Sequence, residues 1–324
     1  MRCLITGGAG FIGSHLSELL LRNGNSVSVI DDLSTGKKEN IEHFFKDPGF
    51  RFTEGSIMNE PLMEKLVCDC DMIYHLAAAV GVKYIVDNPL KSIEINVKGT
   101  EIILALASKY KKKIMIASTS EVYGKNPRAV FSENDDSIIG ATKVGRWSYA
   151  CSKALDEFLA FAYHKKEGLP AIIVRLFNTC GPRQTGRYGM VIPRFVKQAL
   201  SGSPITIYGN GEQTRSFTHV LDVVKDMLLL TENPGAVGEV FNIGNPGGIT
   251  ITDLAKKIKA MTKSLSQITY MSYEEAYGGG FEDMTHRVPD VTKLKKLTGD
   301  SPHIPLEKIL SDVIDFHKAG KDHF

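Results

Sequence analysis

The chain has 324 residues and a mass of 35.6 kDa, enough to bury a core that needs no disulfide or metal staple, and enough for two structural units or one large α/β domain with a smaller lobe. Hydrophobic residues make up 43% and charged residues 23%, the balance of an ordinary globular protein. A formal net charge of +2 argues against a nucleic-acid or membrane-surface partner.

Residues 2–6 form a short apolar run that breaks into Gly7-Gly8-Ala9-Gly10-Phe11-Ile12-Gly13. A helical pattern from Ser14 to Gly24 follows, then a β-rich run, SVSVIDD, at 26–32. The alternation continues with a strand at 72–77, a helix at 94–110, a strand at 113–119, a helix at 149–165 and a strand at 171–177. Strands alternating with helices predict an α/β fold, a Rossmann-like, doubly wound parallel sheet covered on both faces. After about Asn178 the chain becomes rich in Pro and Gly, and short strands such as PITIY predict a smaller α/β C-terminal lobe. Residues 217–231 (FTHVLDVVKDMLLLT) read as a further helix returning to the main sheet. The expected division is a dinucleotide-binding domain at 1–178 plus about 215–245, with a ligand-binding lobe at 179–214 and 246–324. Lys111-Lys112-Lys113 is a solvated charge run at a helix end, where it also offsets the helix dipole.

Five cysteines, Cys3, Cys68, Cys70, Cys151 and Cys180, are odd in number and scattered. Cys68-Asp69-Cys70 has no second pair at zinc spacing, so they read as reduced thiols and no metal site is expected. No apolar run reaches the ~18–20 residues of a membrane span. The chain opens on a strand rather than a basic, cleavable leader, so the expected location is cytoplasmic.

The glycine turn carries the first chemistry. Gly7, Gly10 and Gly13 stand where a strand turns into a helix: the first permits the tight turn, the second lets backbone approach a pyrophosphate, and the third lets helix and strand pack closely. Asp31 follows Gly13 by 18 residues, at the end of the second strand. A carboxylate there accepts from the adenosine ribose hydroxyls and repels a 2′-phosphate, which favours NAD over NADP. Lys37 and Lys38 pull weakly the other way. A structural glycine turn with no cofactor is the bland alternative.

Ser118-Thr119-Ser120-Glu121-Val122-Tyr123-Gly124 directly follows an apolar strand, and strand C-termini of a parallel sheet line the ligand crevice. Tyr149 and Lys153 then form an i, i+4 pair on one helix face. A nearby ammonium and an oxidised nicotinamide ring would favour the phenolate, so that Tyr149 could act as a base near neutral pH. Alone, such a pair is a commonplace surface feature; after a dinucleotide motif and a strand-end Ser/Thr cluster it reads as catalytic.

With TGGAGFIG, His75-Leu76-Ala77-Ala78, Asn96-Val97-Lys98-Gly99-Thr100, STSEVYG, YACSK, RLFNTCGPR and QTRSFTHVLD, nearly the whole chain resembles the extended short-chain dehydrogenase/reductase superfamily of nucleotide-sugar epimerases, dehydratases and decarboxylases. The resemblance implies NAD in the N-terminal domain, held by Gly7, Gly10, Phe11, Ile12, Gly13, Asp31, Asp32, Leu76, Ala77, Ala78, Asn96, Tyr149 and Lys153. It implies a UDP-sugar in the cleft, with Thr119, Tyr149 and Lys153 as the catalytic triad and Ser120, Asn178, Arg215 and Arg287 toward the substrate. It also implies a homodimer through two helices per subunit, including the one bearing Tyr149.

Glu121 is the residue that separates subfamilies, because simple 4-epimerases usually carry a small polar residue there. Arg146-Trp147, Ser203-Pro204-Ile205, the stretch 238–246 and the stretch 277–287 look most like UDP-glucuronate decarboxylase domains, in which the arginine matching Arg287 reaches the sugar. Met190 departs from the xylose-forming decarboxylases, which tend to have an arginine there. The expected reaction is decarboxylation of UDP-glucuronate or a related UDP-hexuronate through a 4-keto intermediate, with Glu121 and Arg287 at the carboxylate. A 4-epimerase with Glu121 as bystander, a 4,6-dehydratase with Glu121 removing the C5 proton, and a non-catalytic NAD-binding sensor are the alternatives. Glu121 could also be a partner for a backbone amide, and Arg287 could instead hold the UDP phosphates.

Overall fold

The computed structural model describes residues 1–186, 190–277, 282–299 and 303–320. Within 187–189, 278–281, 300–302 and 321–324 lie the middle of the GRYGM stretch and the Gly278–Phe281 part of the 277–287 motif, which are outside the described residues. The strands are β1 (Arg2–Thr6), β2 (Ser26–Asp31), β3 (Phe50–Glu54), β4 (Met72–His75), β5 (Lys113–Thr119), β6 (Ala171–Leu176), β7 (Thr179–Cys180), β8 (Ile205–Tyr208), β9 (Thr214–Ser216), β10 (Thr218–His219), β11 (Val240–Ile243), β12 (Gly248–Thr250), β13 (Ile268–Met271) and β14 (His286–Arg287). The helices are α1 (Phe11–Arg22), α2 (Glu60–Cys68), α3 (Val82–Asp87), α4 (Pro89–Lys109), α5 (Trp147–Glu167), α6 (Val191–Ser201), α7 (Val220–Glu232), α8 (Ile251–Thr262), α9 (Tyr273–Tyr277), α10 (Thr292–Thr298) and α11 (Leu306–Lys318).

Seven strands form one sheet in the order β11-β6-β5-β4-β1-β2-β3, and each neighbouring pair is parallel. This is the Rossmann-like, doubly wound sheet expected from the alternating pattern. Alternate strand residues feed two cores, as a period of two requires. Leu4, Ile30, Ile73, Ile114, Ile116 and Ile173 face α2, α4 and α5, meeting Val67, Ile103, Leu104, Ala107 and Ala160. Ile5, Val27, Val29, Tyr74, Met115, Ile172 and Val174 face α1 and α7, meeting Leu16, Leu20, Val223, Val224 and Met227. Because both faces are covered, the inner strands β1, β4, β5 and β6 read as near-continuous apolar runs.

A third core gathers α6, α8 and α11 over β8 through Phe195, Val196, Ile205, Ile207, Leu254, Ile258, Leu310 and Val313. Here β13 pairs with β8 in parallel, while β9 is flanked by antiparallel β12 and parallel β14. A fourth cluster, Val122, Tyr123, Phe131, Trp147, Phe177 and Met284, joins the end of β5 to the start of α5 and to the segment before β14.

Two elements depart from the sequence pattern in ways that matter for the site. The strand read at 72–77 stops at His75, because Leu76 to Ala79 turn away to line the cleft. The helix read at 217–231 begins only at Val220, since Thr218 and His219 first pair with Thr179 and Cys180. Among the described residues no helix is long and apolar enough to cross a membrane.

Candidate active site

The cleft lies at the carboxyl ends of the parallel strands, around the switch point between β1 and β4 where the strand order reverses. Its first wall is the glycine turn. Gly7 sits at φ +71°, and a Cβ there would come within 2.8 Å of the Ala77 backbone nitrogen. At Gly13 a Cβ would meet the Gly7 carbonyl oxygen at 2.4 Å, so only glycine lets α1 start this close to the turn. Gly10 donates its amide to that same carbonyl at 3.1 Å.

Asp31, at the end of β2, accepts from the Ala9 amide at 3.0 Å and the Leu33 amide at 2.9 Å. Burial raises its proton affinity, and those amides oppose the shift. Asp32 accepts from the Ser34 amide at 3.0 Å and its hydroxyl at 2.6 Å. Gly7, Gly10, Phe11, Ile12, Gly13, Asp31, Asp32, Leu76, Ala77 and Ala78 all line the cleft. A turn stripped of side chains, amides at a helix start and a carboxylate one strand over suit a pyrophosphate with its adenosine ribose. The dinucleotide expected from the sequence therefore fits these residues.

Thr119, Glu121, Tyr149, Asn178, Arg215 and Arg287 line the other half of the same cleft. Thr119 ends β5, caps the following turn by accepting from the Glu121 amide at 3.2 Å, and its hydroxyl faces the Tyr149 phenol. Glu121 is buried, with Arg287 Nη1 at 3.3 Å from one oxygen and Arg146 Nη2 at 3.9 Å from the other. Arg146 also pairs with Asp283 at 3.0 Å, and Arg215 pairs with Asp283 at 2.9 Å. Tyr273 donates to the same Asp283 oxygen at 2.9 Å. Three arginines thus share two carboxylates at the sugar end of the cleft. Burial and the neighbouring Arg215 and Arg146 push the Arg287 guanidinium down to about 10. Asn178, between β6 and β7, donates to the Ser216 carbonyl at 2.8 Å, tying that segment to β9.

Three expected site residues stand behind the wall rather than on it. Asn96 is buried in α4 and grips Ala79 through that residue's amide (2.8 Å) and carbonyl (3.3 Å), so it shapes the Leu76–Gly81 loop that lines the cleft. Ser120 is fully buried and its Oγ has no hydrogen-bond partner among the described residues. Lys153 is buried beneath Tyr149 and donates to Asp156 at 2.6 Å. The Tyr149 phenol itself holds its proton more tightly than a free tyrosine. Burial is the largest cause, Glu121 and Asp156 add to it, and Arg287 and the Thr119 hydroxyl oppose it.

The site also takes in residues that the sequence reading had not assigned a role. Arg146, Asp283, Tyr273, Arg194, Tyr208 and Gln213 all line the cleft, and Arg194 lies over the Tyr208 ring at 3.9 Å. Arg146 and Asp283 fall inside stretches noted for their resemblance to decarboxylases, which was the available signal. Nothing local marks Tyr273 or Arg194.

A UDP-N-acetyl-alpha-D-glucosaminuronate decarboxylase of Bacillus cytotoxicus is 43% identical over 318 residues, covering 98% of this chain and 98% of that protein. UDP-glucuronic acid decarboxylase 1 of Xenopus tropicalis is 36% identical over 323 residues, 99% of this chain and 73% of that protein. Among solved structures, UDP-glucuronic acid 4-epimerase from Bacillus cereus, in complex with UDP-glucuronic acid and NAD, superimposes with a TM-score of 0.88 at 30% identity, covering 98% of this chain and 99% of that one. The family model described as GDP-mannose 4,6 dehydratase matches residues 4–313, and the chain therefore belongs to that family, as an enzyme of the extended short-chain dehydrogenase/reductase type.

Proposed function

We propose that the protein is an NAD-dependent decarboxylase of a UDP-hexuronate, with UDP-N-acetylglucosaminuronate as the first candidate and UDP-glucuronate the second. The observation that carries this reading is the buried Arg287–Glu121–Arg146 group next to Tyr149. Arg287 Nε is buried with no hydrogen-bond partner among the described residues. A guanidinium with an N–H to spare, facing a cleft, suits a substrate carboxylate. Met190 lines the same cleft and cannot bind an anion, so the carboxylate falls to Arg287 of β14 and to Arg146 just before α5. The identity of the Bacillus cytotoxicus relative sets the order of the two candidates.

NAD, when bound, supplies the hydride acceptor that turns the C4 alcohol into a ketone. Tyr149 takes the C4 hydroxyl proton, and Thr119, whose hydroxyl faces that phenol, holds the C4 oxygen in reach. The ketone is β to the C5 carboxylate. The C5–C6 bond then breaks, CO2 leaves, and the electron pair passes into a C4–C5 enolate. Arg287 steadies the departing carboxylate, and Glu121 manages the proton that returns to C5. The protein's share is position and electrostatics.

The division into a cofactor half at 1–178 plus about 215–245, and a sugar lobe at 179–214 and 246–324, belongs to this proposal. It is supported by the pairing of β11 with β6 and by the core shared by α6, α8 and α11. So does a homodimer across α4 and α5, where Leu90 and Phe158 are 70% and 72% exposed and Ile93 and Leu155 lie alongside. Five unpaired cysteines fit a reducing, cytoplasmic setting.

The test is purified protein with NAD and each UDP-hexuronate labelled with carbon-13 at C6. Labelled CO2 and a UDP-pentose, or its 4-keto form, are expected. Conversion to the C4 epimer with the label retained would make the enzyme a 4-epimerase instead.

A further inference from the structure

Behind Tyr149 lies a chain of buried polar side chains that the proposed reaction does not account for. Asp156 follows Lys153 by one turn of α5, its side chain fully buried and that of Lys153 2% exposed. The ammonium meets Asp156 Oδ2 at 2.6 Å. The other oxygen, Oδ1, has no hydrogen-bond partner among the described residues, although the Thr100 hydroxyl of α4 faces the same carboxylate. Thr100 reaches the His75 ring at 3.2 Å, and His75 reaches Thr6 at 2.8 Å. The line therefore runs from β1 and β4, through α4, to the helix that carries Tyr149.

An ion pair sealed from water loses much of its solvation, and a fold keeps one more readily where it serves a purpose beyond stability. Here the pair sits under the proposed base. A free ammonium favours the phenolate of Tyr149; an ammonium already matched by a carboxylate does so much less. We propose that Asp156 is a positioning residue for Lys153, fixing its ammonium and offsetting its charge, so that Tyr149 gives up its proton only when the oxidised, positively charged cofactor is in place. This rests on the reading of Tyr149 as the base.

The surrounding charges can be named. Glu121 on the turn after β5 and Arg287 on β14 act on Tyr149 directly and in opposite senses, and the Asp156 charge adds to that of Glu121. Glu157, next on α5, is matched by Arg175 of β6 at 2.7 Å. His75 of β4, pushed down to about 3 by burial and by Lys153, stays neutral throughout the working range. Asp156 is thus the carboxylate in contact with Lys153, and burial raises its proton affinity while Lys153 opposes the rise.

The experiment titrates Tyr149 in the NAD-bound enzyme by tyrosinate absorbance, as the difference between each protein and its Tyr149→Phe counterpart. In Asp156→Asn the midpoint should fall by about one pH unit or more, and the acidic limb of the kcat/KM profile should move with it. Asp156→Glu keeps the charge and should keep the midpoint. If Asp156→Asn does not fold, Asp156→Ser, which leaves room for water around the ammonium, is read in the same way. An unchanged midpoint in the neutral variant, whatever its loss of Tm, overturns the proposal, as does an equal shift in Asp156→Glu. Full turnover by Tyr149→Phe would sink the base assignment and leave the titration result standing.

Discussion

Arg287 of β14 and Glu121 of the turn after β5 are 166 residues apart in the chain, yet their side chains meet at 3.3 Å in the cleft. The chain beyond Asn178 thereby delivers a cation to a buried carboxylate beside Tyr149. For a decarboxylation these two must act on different atoms. Arg287 has to hold the C5 carboxylate before it leaves, and Glu121 has to serve the carbon it leaves behind.

That separation of roles gives the first prediction. Arg287→Met should raise KM for the hexuronate and lower kcat/KM by about 10²–10³, the usual loss for a charged group that meets the reacting anion. Glu121→Gln should lower kcat with little change in KM. Steady-state kinetics on both variants, with CO2 release as the readout, separates the two. An Arg287→Met enzyme of unchanged KM would place this arginine elsewhere, on the nucleotide phosphates for example.

A second prediction concerns Asp31. Its carboxylate is already held by the Ala9 and Leu33 amides, so Asp31→Asn removes a charge from a site whose geometry is otherwise fixed. Charge-assisted hydrogen bonds are worth about 1.5–3 kcal/mol, which makes the expected loss of NAD affinity about 10-fold or more. NADP should lose nothing by the change. Calorimetric titration of both dinucleotides checks it, and an equal loss for the two would show that the substitution disturbs the turn itself.

How far the sequence reached is visible in the same residues. The glycines, Asp31 and Tyr149 were legible because each belongs to a local pattern: a strand, a turn and a helix whose spacing is set by backbone geometry. β3 and α2 were not found. Phe50–Glu54 alternates apolar with polar residues at a sheet edge, and α2 opens with Pro61 behind an Asn59 cap, which reads as a loop until the cap is seen. Tyr273 and Arg194 were unreadable for a different reason. Tyr273 stands on α9 and Arg194 on α6, both beyond Asn178, and only the folding of that part of the chain over the cleft places them there; no local period encodes it. The placement of Lys153 against Asp156 likewise needs three dimensions, since i, i+3 partners on a helix are ordinary surface pairs until both are buried.

The third prediction tests what holds α5, the helix that carries Tyr149, against the sheet. Arg175 of β6 grips Glu157 of α5 through Nη2 at 2.7 Å and through Nε at 3.0 Å. Ser118 of β5 donates to the same carboxylate. Both charged side chains are under a tenth exposed. Arg175→Met leaves Glu157 buried without its cation and should destabilise the protein by about 3–5 kcal/mol. The double variant Arg175→Met/Glu157→Gln should recover a good part of that loss. Denaturant unfolding of the parent, Arg175→Met, Glu157→Gln and the double variant decides it, and full additivity of the two single losses would mean that the pair is not coupled.

The last prediction is a pH dependence of stability that comes from Asp226. This residue of α7 is buried, and its Oδ2 has no hydrogen-bond partner among the described residues. Burial, with Asp222 one turn away adding to it, pushes the carboxyl up to about 7, against an unfolded value of about 3.9. Between those two pH values the native state holds a proton that the unfolded chain has released. Stability then falls as pH rises. The contribution is fully present below about pH 4, is lost progressively up to about 7, and does not return above it. Over that interval the loss approaches about 4 kcal/mol as an upper bound. Asp226→Asn cannot ionise, so it should flatten the curve and be the more stable protein at pH 8, while matching the parent near pH 4. Unfolding free energies measured across that range test the sign directly. A parent whose stability from this source rises between pH 4 and 7, or an Asn variant weaker at pH 8, would show that Asp226 is ionised and well partnered in the native state.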